Sequence, residues 1–165
     1  MKKLIFTLFI ALMTSGLSAQ KFDTIAKSGY AFPVKSKLTL KMVAVDNVNY
    51  KFYILHYEPF NKIIDTSDIS KYLSKPVADN TIEVIFCVCT HGKSKKEKRA
   101  NYQTLLLLKN GTSFPLQFRA KMKLPKSETF EATSVVTLYP QNRNMQMWSY
   151  LIEKLALLDF KRLPK

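Results

Sequence analysis

The chain has 165 residues, 47% of them hydrophobic, and carries 26 Lys and Arg against 12 Asp and Glu for a formal net charge of +14. That length suits one domain with a real core. Two cysteines are too few for a disulfide framework, and no stretch beyond the first residues is long and apolar enough for a spanning helix.

The chain opens on a charged start, Met1-Lys2-Lys3, followed by an apolar run over 4–13 and a small-residue exit over 14–19 that ends in Ala19. This layout predicts a secretory signal peptide over 1–19, cleaved before Gln20, and a single domain over 20–165. The apolar run is shorter than the ~20 residues a spanning helix needs, which favours cleavage over anchoring. No cysteine stands at the cut to accept a lipid. The expected location is periplasmic or extracellular. The leader style, Lys2-Lys3 at the start and Ser18-Ala19-Gln20 at the end, resembles exported proteins of the Bacteroidota. The general layout is similar to small secreted β-proteins of those bacteria. That resemblance implies a periplasmic or surface home and carries over no functional residue.

Residues 20–36 read as an extended lead-in with room for one short strand. Over 37–45, Leu38, Leu40, Met42 and Ala44 alternate with polar residues, which predicts a half-buried strand. A turn at 46–49 leads to a second strand over 50–58, completing a hairpin. Residues 65–73 predict a short helix, with Asp65 or Ser67 as cap and Ile69, Tyr72 and Leu73 on one stripe. The most apolar strand covers 81–90, with Ile82, Val84, Phe86 and Val88 on one face. Residues 92–101 read as a charged loop. Strands over 102–109 and 113–124 flank Asn110-Gly111, a strong hairpin signal because a type I′ turn needs positive φ at both central residues. Phe114, Leu116, Phe118, Ala120, Met122 and Leu124 are expected inward, with Gln117, Arg119, Lys121 and Lys123 outward. A further strand over 130–139 would turn Phe130, Ala132, Ser134, Val136 and Leu138 inward. Met147, Trp148, Leu151, Ile152, Leu155 and Leu158 follow helical spacing, with Asn144 as cap. The tail over 157–163 also reads as a final strand. The fold class is mainly β: an antiparallel sandwich, immunoglobulin-like or barrel-like, with one short connecting helix and a C-terminal helix.

Nearly all of the charge excess lies beyond the leader, which holds only Lys2 and Lys3. It points to anionic surroundings such as phospholipid, lipopolysaccharide phosphate, acidic glycan or nucleic acid. No specific nucleic-acid motif is present. Lys93, Lys95, Lys96, Lys98 and Arg99 in the 92–101 loop, with Arg119, Lys121 and Lys123 on the outward strand face, are the anion- or partner-binding candidates. Tyr50, Tyr53, Tyr57 and Tyr102 could add stacking surfaces. The competing reading is a set of solvated lysines with tyrosines at the core margin.

Cys87, Cys89 and His91 share one strand face at two-residue spacing, and His56 lies in another strand. Thiolate and imidazole together suit zinc or copper. The spacing matches no common zinc motif, and two reduced, buried thiols are the favoured state. Gly92-Lys93-Ser94 resembles the end of a phosphate loop, but the required earlier glycine is Cys87. Asn110-Gly111-Thr112 fits a glycosylation acceptor, for which the turn is a sufficient explanation. No catalytic residue and no cofactor is assigned. The sequence therefore predicts a non-enzymatic binding module that takes an anionic envelope component or a protein partner. The alternatives are a carrier of small apolar ligands with a barrel cavity, and a hydrolase whose site is dispersed along the chain.

Overall fold

Period-two patterning dictates strands, and the computed structural model, which describes residues 24–164, builds them into one sheet. The expected signal peptide over 1–19 lies outside the described residues. In chain order the elements are β1 (Gly29–Pro33), β2 (Ser36–Ala44), β3 (Asn49–Pro59), β4 (Ile64–Asp65), a 3-10 turn at Thr66–Lys71, β5 (Thr81–Thr90), α1 (Lys95–Ala100), β6 (Gln103–Asn110), β7 (Leu116–Lys123), β8 (Glu131–Thr133), β9 (Arg143–Trp148) and β10 (Lys154–Arg162). The strands order as β8-β7-β10-β3-β2-β5-β6-β9, with β1 added on β10 and β4 on β5. All pairs are antiparallel except the short β4–β5 contact. The sheet curls into a half-barrel. The mainly β, antiparallel character expected from the sequence is present, as one curled sheet in place of the expected immunoglobulin-like or barrel-like sandwich. No helix among the described residues is long and apolar enough to cross a membrane.

The concave side holds the main core. Leu38, Leu40 and Met42 of β2, Phe52 and Ile54 of β3, Ile82, Val84 and Phe86 of β5, Leu106 and Leu108 of β6, and Leu116, Phe118 and Ala120 of β7 are buried there. The β2–β3 hairpin forms as predicted, with a bulge where Thr39 faces His56 and Leu40 faces Ile54. The extra residue, Leu55, is turned out to solvent. The outward face of β5 and β6 is buried as well. Ile85, Cys87, Cys89, Leu105 and Leu107 pack under Ile64 and Ile69, so both faces of these strands are apolar. Two adjacent cations hold that cover down. Lys109, 7% exposed, donates to the carbonyls of Leu73, Ser74 and Lys75 at 3.2, 3.4 and 2.8 Å. Its cross-strand neighbour Arg143 donates to the carbonyls of Ile69 and Tyr72 at 3.1 and 3.2 Å.

The C-terminal segment departs most from expectation. Residues 143–162 form β9 and β10, not a helix capped by Asn144. The helical spacing of its apolar residues is two strands read end to end. Trp148, Leu155, Leu157 and Phe160 point into the core, while Met145 and Met147 sit on the outer face, partly exposed. Tertiary pairing overrides local preference here, because β10 finds partners on both sides: β7 on one, β1 and β3 on the other. The expected tail strand is present and begins earlier than predicted. Phe160 stacks on Phe118 with ring centroids 5.0 Å apart and meets Phe52 edge-on at 5.2 Å.

The Asn110-Gly111 hairpin does not form, since β6 lies between β5 and β9 while β7 lies between β8 and β10. Neither residue takes positive φ. Asn110 is buried and works as a brace. Its side chain accepts from the Thr112 amide at 2.8 Å and donates to the carbonyls of Phe114 and Leu138 at 2.9 and 3.0 Å. Gly111 lies so close to the Ala78 and Thr81 carbonyls that a Cβ would overlap them. The glycine is there for close approach, not for turn geometry. The expected 130–139 strand is reduced to β8. Its inward residue is Thr133, Val135 packs on the core beyond it, and Ala132, Ser134 and Val136 face solvent. Leu138 alone of the expected face is fully buried, paired by two backbone hydrogen bonds to Leu116.

The segment over 134–142 connects the two edge strands, β8 and β9, and pairs with Leu116 and Asn110 on the way. Trp148 Nε1 on β9 donates to Thr133 Oγ1 on β8 at 2.9 Å. Tyr150 donates to Met122 Sδ on β7 at 3.4 Å. Phe160→Ala empties the centre of the aromatic stack and should destabilise the fold by about 3–5 kcal/mol. Urea denaturation measures this, and a loss below about 1 kcal/mol would remove β10 from the core.

Candidate functional site

The charged segment after β5 is a capped helix rather than a loop. Gly92 takes φ 133°, a conformation that favours glycine. Ser94 Oγ then accepts from the Glu97 amide at 3.2 Å, and Glu97 Oε2 accepts from the Lys93 and Ser94 amides at 2.7 and 3.3 Å. This capping box was visible in the sequence as Ser94-x-x-Glu97. α1 buries no residue, so end contacts hold it in place. Thr90 Oγ1 donates to the Lys98 carbonyl. Lys98 Nζ reaches Asp65 Oδ2 at 2.5 Å, and Asp65 also caps the 3-10 turn by accepting from the Ser67 amide at 3.0 Å. The Lys98 ammonium, then the Ser67 contacts, hold the Asp65 carboxyl well below the usual range. The Lys93 and Ser94 amides lower Glu97, and Asp65 raises Lys98.

Four of the acids at this end of the sheet are committed, while Glu128 and Glu131, in the connection from β7 into β8, stand exposed. Asp65 engages Lys98, Asp68 engages Lys71 at 2.6 Å, Glu153 lies 3.8 Å from Lys123, and Glu97 is spent on backbone amides. Lys93, Lys95, Lys96 and Arg99 are exposed and have no acid partner among the described residues. The sequence placed Lys98 with this group, but its charge is consumed locally.

The second half of the predicted patch is on another strand and is not continuous with α1 through the sheet, although Lys123 reaches the same end of it beside Glu153. Arg119, Lys121 and Lys123 belong to β7, and β10, β3 and β2 stand between that strand and β5. Arg119 pairs with Asp159 through Nε at 2.8 Å and through Nη2. Lys121 is exposed. Tyr50 and Tyr57 pack against the core, Tyr53 is half-buried, and Tyr102, 40% exposed beside α1, is free at the surface.

The thiol and imidazole candidates separate by burial. Cys87 and Cys89 are fully buried under the β4 and 3-10 cover and are not bonded to each other. His91 is past the end of β5 and exposed, and His56 is exposed on β3 with Nε2 3.9 Å from Glu58. Among the described residues no three His, Cys, Asp or Glu side chains are placed to hold a metal. Burial pushes Cys87 up to about 12, with a contribution from Cys89, and pushes Cys89 up to about 11.

Two open grooves mark the surface. One, about 760 Å³, surrounds Asp159, Arg119, Asp46 and Lys51 where β10 bulges. The other, about 690 Å³, lies between β2–β3 and the 60–75 segment and includes Lys37, Glu58, Lys62 and Lys75. In the second, Lys37 and Glu58 pair at 2.5 Å. Both are open and lined with charge, unlike an enclosed apolar ligand cavity. Ser134, which the sequence placed inward, faces solvent.

Compared with known protein families, curated proteins and solved structures, the chain matches none.

Two tests follow from these environments. At pH 8 both thiols should resist a thiol reagent in native buffer and react fully in urea, since their raised titration keeps the thiolate scarce; fast native labelling would contradict the buried site. Asp65 and Glu97 titrate lower in the folded state than in the unfolded chain, so each stabilises α1 above about pH 4 and loses that effect as pH falls through its depressed value. NMR of α1 amides should show loosening on acidification, and Asp65→Asn should remove the Lys98 part of it. An α1 indifferent to both changes would mean these contacts do not hold it.

Proposed function

We propose that this chain is a non-enzymatic module, exported to the periplasm or the cell exterior, that binds a polyanion through the rim formed by α1. The observation that carries this reading is the unequal use of charge at that end of the sheet. The acids that contact α1 and the adjoining 3-10 turn, Asp65, Asp68 and Glu97, are engaged, while Lys93, Lys95, Lys96 and Arg99 are exposed and without an acid partner among the described residues. Like charges at three- and four-residue spacing on a helix repel one another by a few tenths of a kcal/mol per pair. The capping box and the Asp65–Lys98 pair offset that repulsion and hold the cations outward on a fixed frame. A partner bearing several phosphates or carboxylates would relieve the repulsion and displace counterions.

A filled concave core supports a binding module over an apolar-ligand carrier. The reading is tested with inorganic polyphosphate as a soluble polyanion. Binding followed through Trp148 fluorescence should weaken by about tenfold or more between roughly 50 and 200 mM salt. Lys95→Glu, Lys96→Glu and Arg99→Glu together should weaken it at least as much, while Lys161→Glu, at the opposite end of the sheet, should leave it nearly unchanged. Equal losses in the two variants would point to net charge alone and overturn the site.

A further inference from the structure

We infer that the polyanion is the surface of an anionic phospholipid bilayer, and that the module docks with the α1 end of its sheet facing the membrane. This rests on the proposed polyanion binding and adds what the cations alone do not explain. The connection over 149–153, from β9 to β10, lies at the same end as α1. Register fixes that placement: Cys89 faces Gln103 and Thr104 faces Trp148, so the chain before Gln103 and the chain after Trp148 leave the sheet together. Thr104 Oγ1 ties the connection down, donating to the Tyr150 carbonyl at 2.8 Å and accepting from the Ile152 amide at 2.9 Å. Ile152 is buried as an anchor, and its neighbours are turned out, with Tyr150 at 42% and Leu151 at 46% exposure. Tyr102, at 40%, lies between them and α1 in the chain's path from α1 into β6.

The end of the sheet therefore presents cations without acid partners beside Tyr102 and a braced loop that carries Leu151 and Tyr150, whose ring is exposed while its hydroxyl rests on Met122 Sδ. That combination suits a bilayer interface. Cations meet lipid phosphates, tyrosine rings sit at headgroup level with one end apolar and one end wet, and the leucine reaches the acyl boundary. A soluble polyanion has no use for the apolar members. Each cation near an anionic leaflet contributes about 1 kcal/mol, so several are needed for stable association when little apolar area is inserted.

The test uses sedimentation with vesicles of phosphatidylcholine alone or mixed with phosphatidylglycerol, alongside the polyphosphate assay, with circular dichroism as the folding control. The wild-type chain should bind the mixed vesicles and bind phosphatidylcholine at least about tenfold more weakly. Tyr150→Ser with Leu151→Ser should weaken vesicle binding several-fold and leave polyphosphate binding unchanged. Wild-type binding to polyphosphate but not to mixed vesicles would overturn the membrane inference while leaving the polyanion reading intact. The inference also falls if the loop variant binds vesicles like the wild type, because the lipid would then act only as a polyanion. Binding to neither probe would overturn both.

Discussion

The insertion of β10 between β7 on one side and β1 with β3 on the other is the constraint on which the rest of the structure depends. Without it, β7 and β8 would have no sheet to join, and the β3-β2-β5-β6-β9 block would end at β3. Insertion brings Leu155, Leu157 and Phe160 into the concave core and places Phe160 between Phe52 and Phe118. It also explains why β6 and β7 are not neighbours. A tight hairpin at Asn110-Gly111 would occupy the β6 edge that β9 needs, and would draw β7 away from β10. Asn110 and Gly111 instead brace a crossing, one by side-chain hydrogen bonds and the other by close approach. Because the last strand lies inside the sheet, many contacts are distant in sequence, which slows folding in β-rich proteins.

The curl of the sheet has a second consequence. Its two edge strands are linked by a side-chain hydrogen bond, Trp148 on β9 to Thr133 on β8, and the 134–142 crossing between them is paired at Leu116. The concave side is then filled by the chain's own side chains, and chemistry is left to the rims and the outer face. On that outer face, Lys109 and Arg143 spend their charge on five backbone carbonyls of the 69–75 segment. The basic excess of the sequence is thus not one patch. Part of it fastens the fold, part is neutralised by Asp65, Asp68, Asp159 and Glu153, and the exposed remainder stands on α1 and also at separate positions such as Lys62, Lys121 and Lys161.

How legible each element was depended on how local its cause is. The β2–β3 hairpin, the alternation of β7, the apolar run of β5 and the cap at Asp65 were readable because period and capping act over a few residues. The α1 helix was equally readable from Ser94-x-x-Glu97, but its run of lysines suggested a solvated loop. The burial of both thiols was readable from their setting in β5. Their remoteness from His91 and His56 was not, because it depends on where β5 ends and on β2 lying between β5 and β3. The separation of Arg119, Lys121 and Lys123 from α1 likewise depends on strand order.

The sequence by itself determined the β-rich character, the basic charge, the reduced cysteine pair and the local pieces that patterning encodes. Tertiary structure alone decided that the final segment is two strands, that Asn110-Gly111 marks a crossing, and which cations remain free. The physical reason is the same in each case. A strand's backbone bonds and a cation's partner come from elsewhere in the chain, so local spacing specifies which residues can be buried or charged but not which neighbours they meet. The Asp65–Lys98 pair shows this at one point. Each residue has an evident local role as cap or helix cation, and only the fold makes them partners and leaves Lys95, Lys96 and Arg99 to face outward.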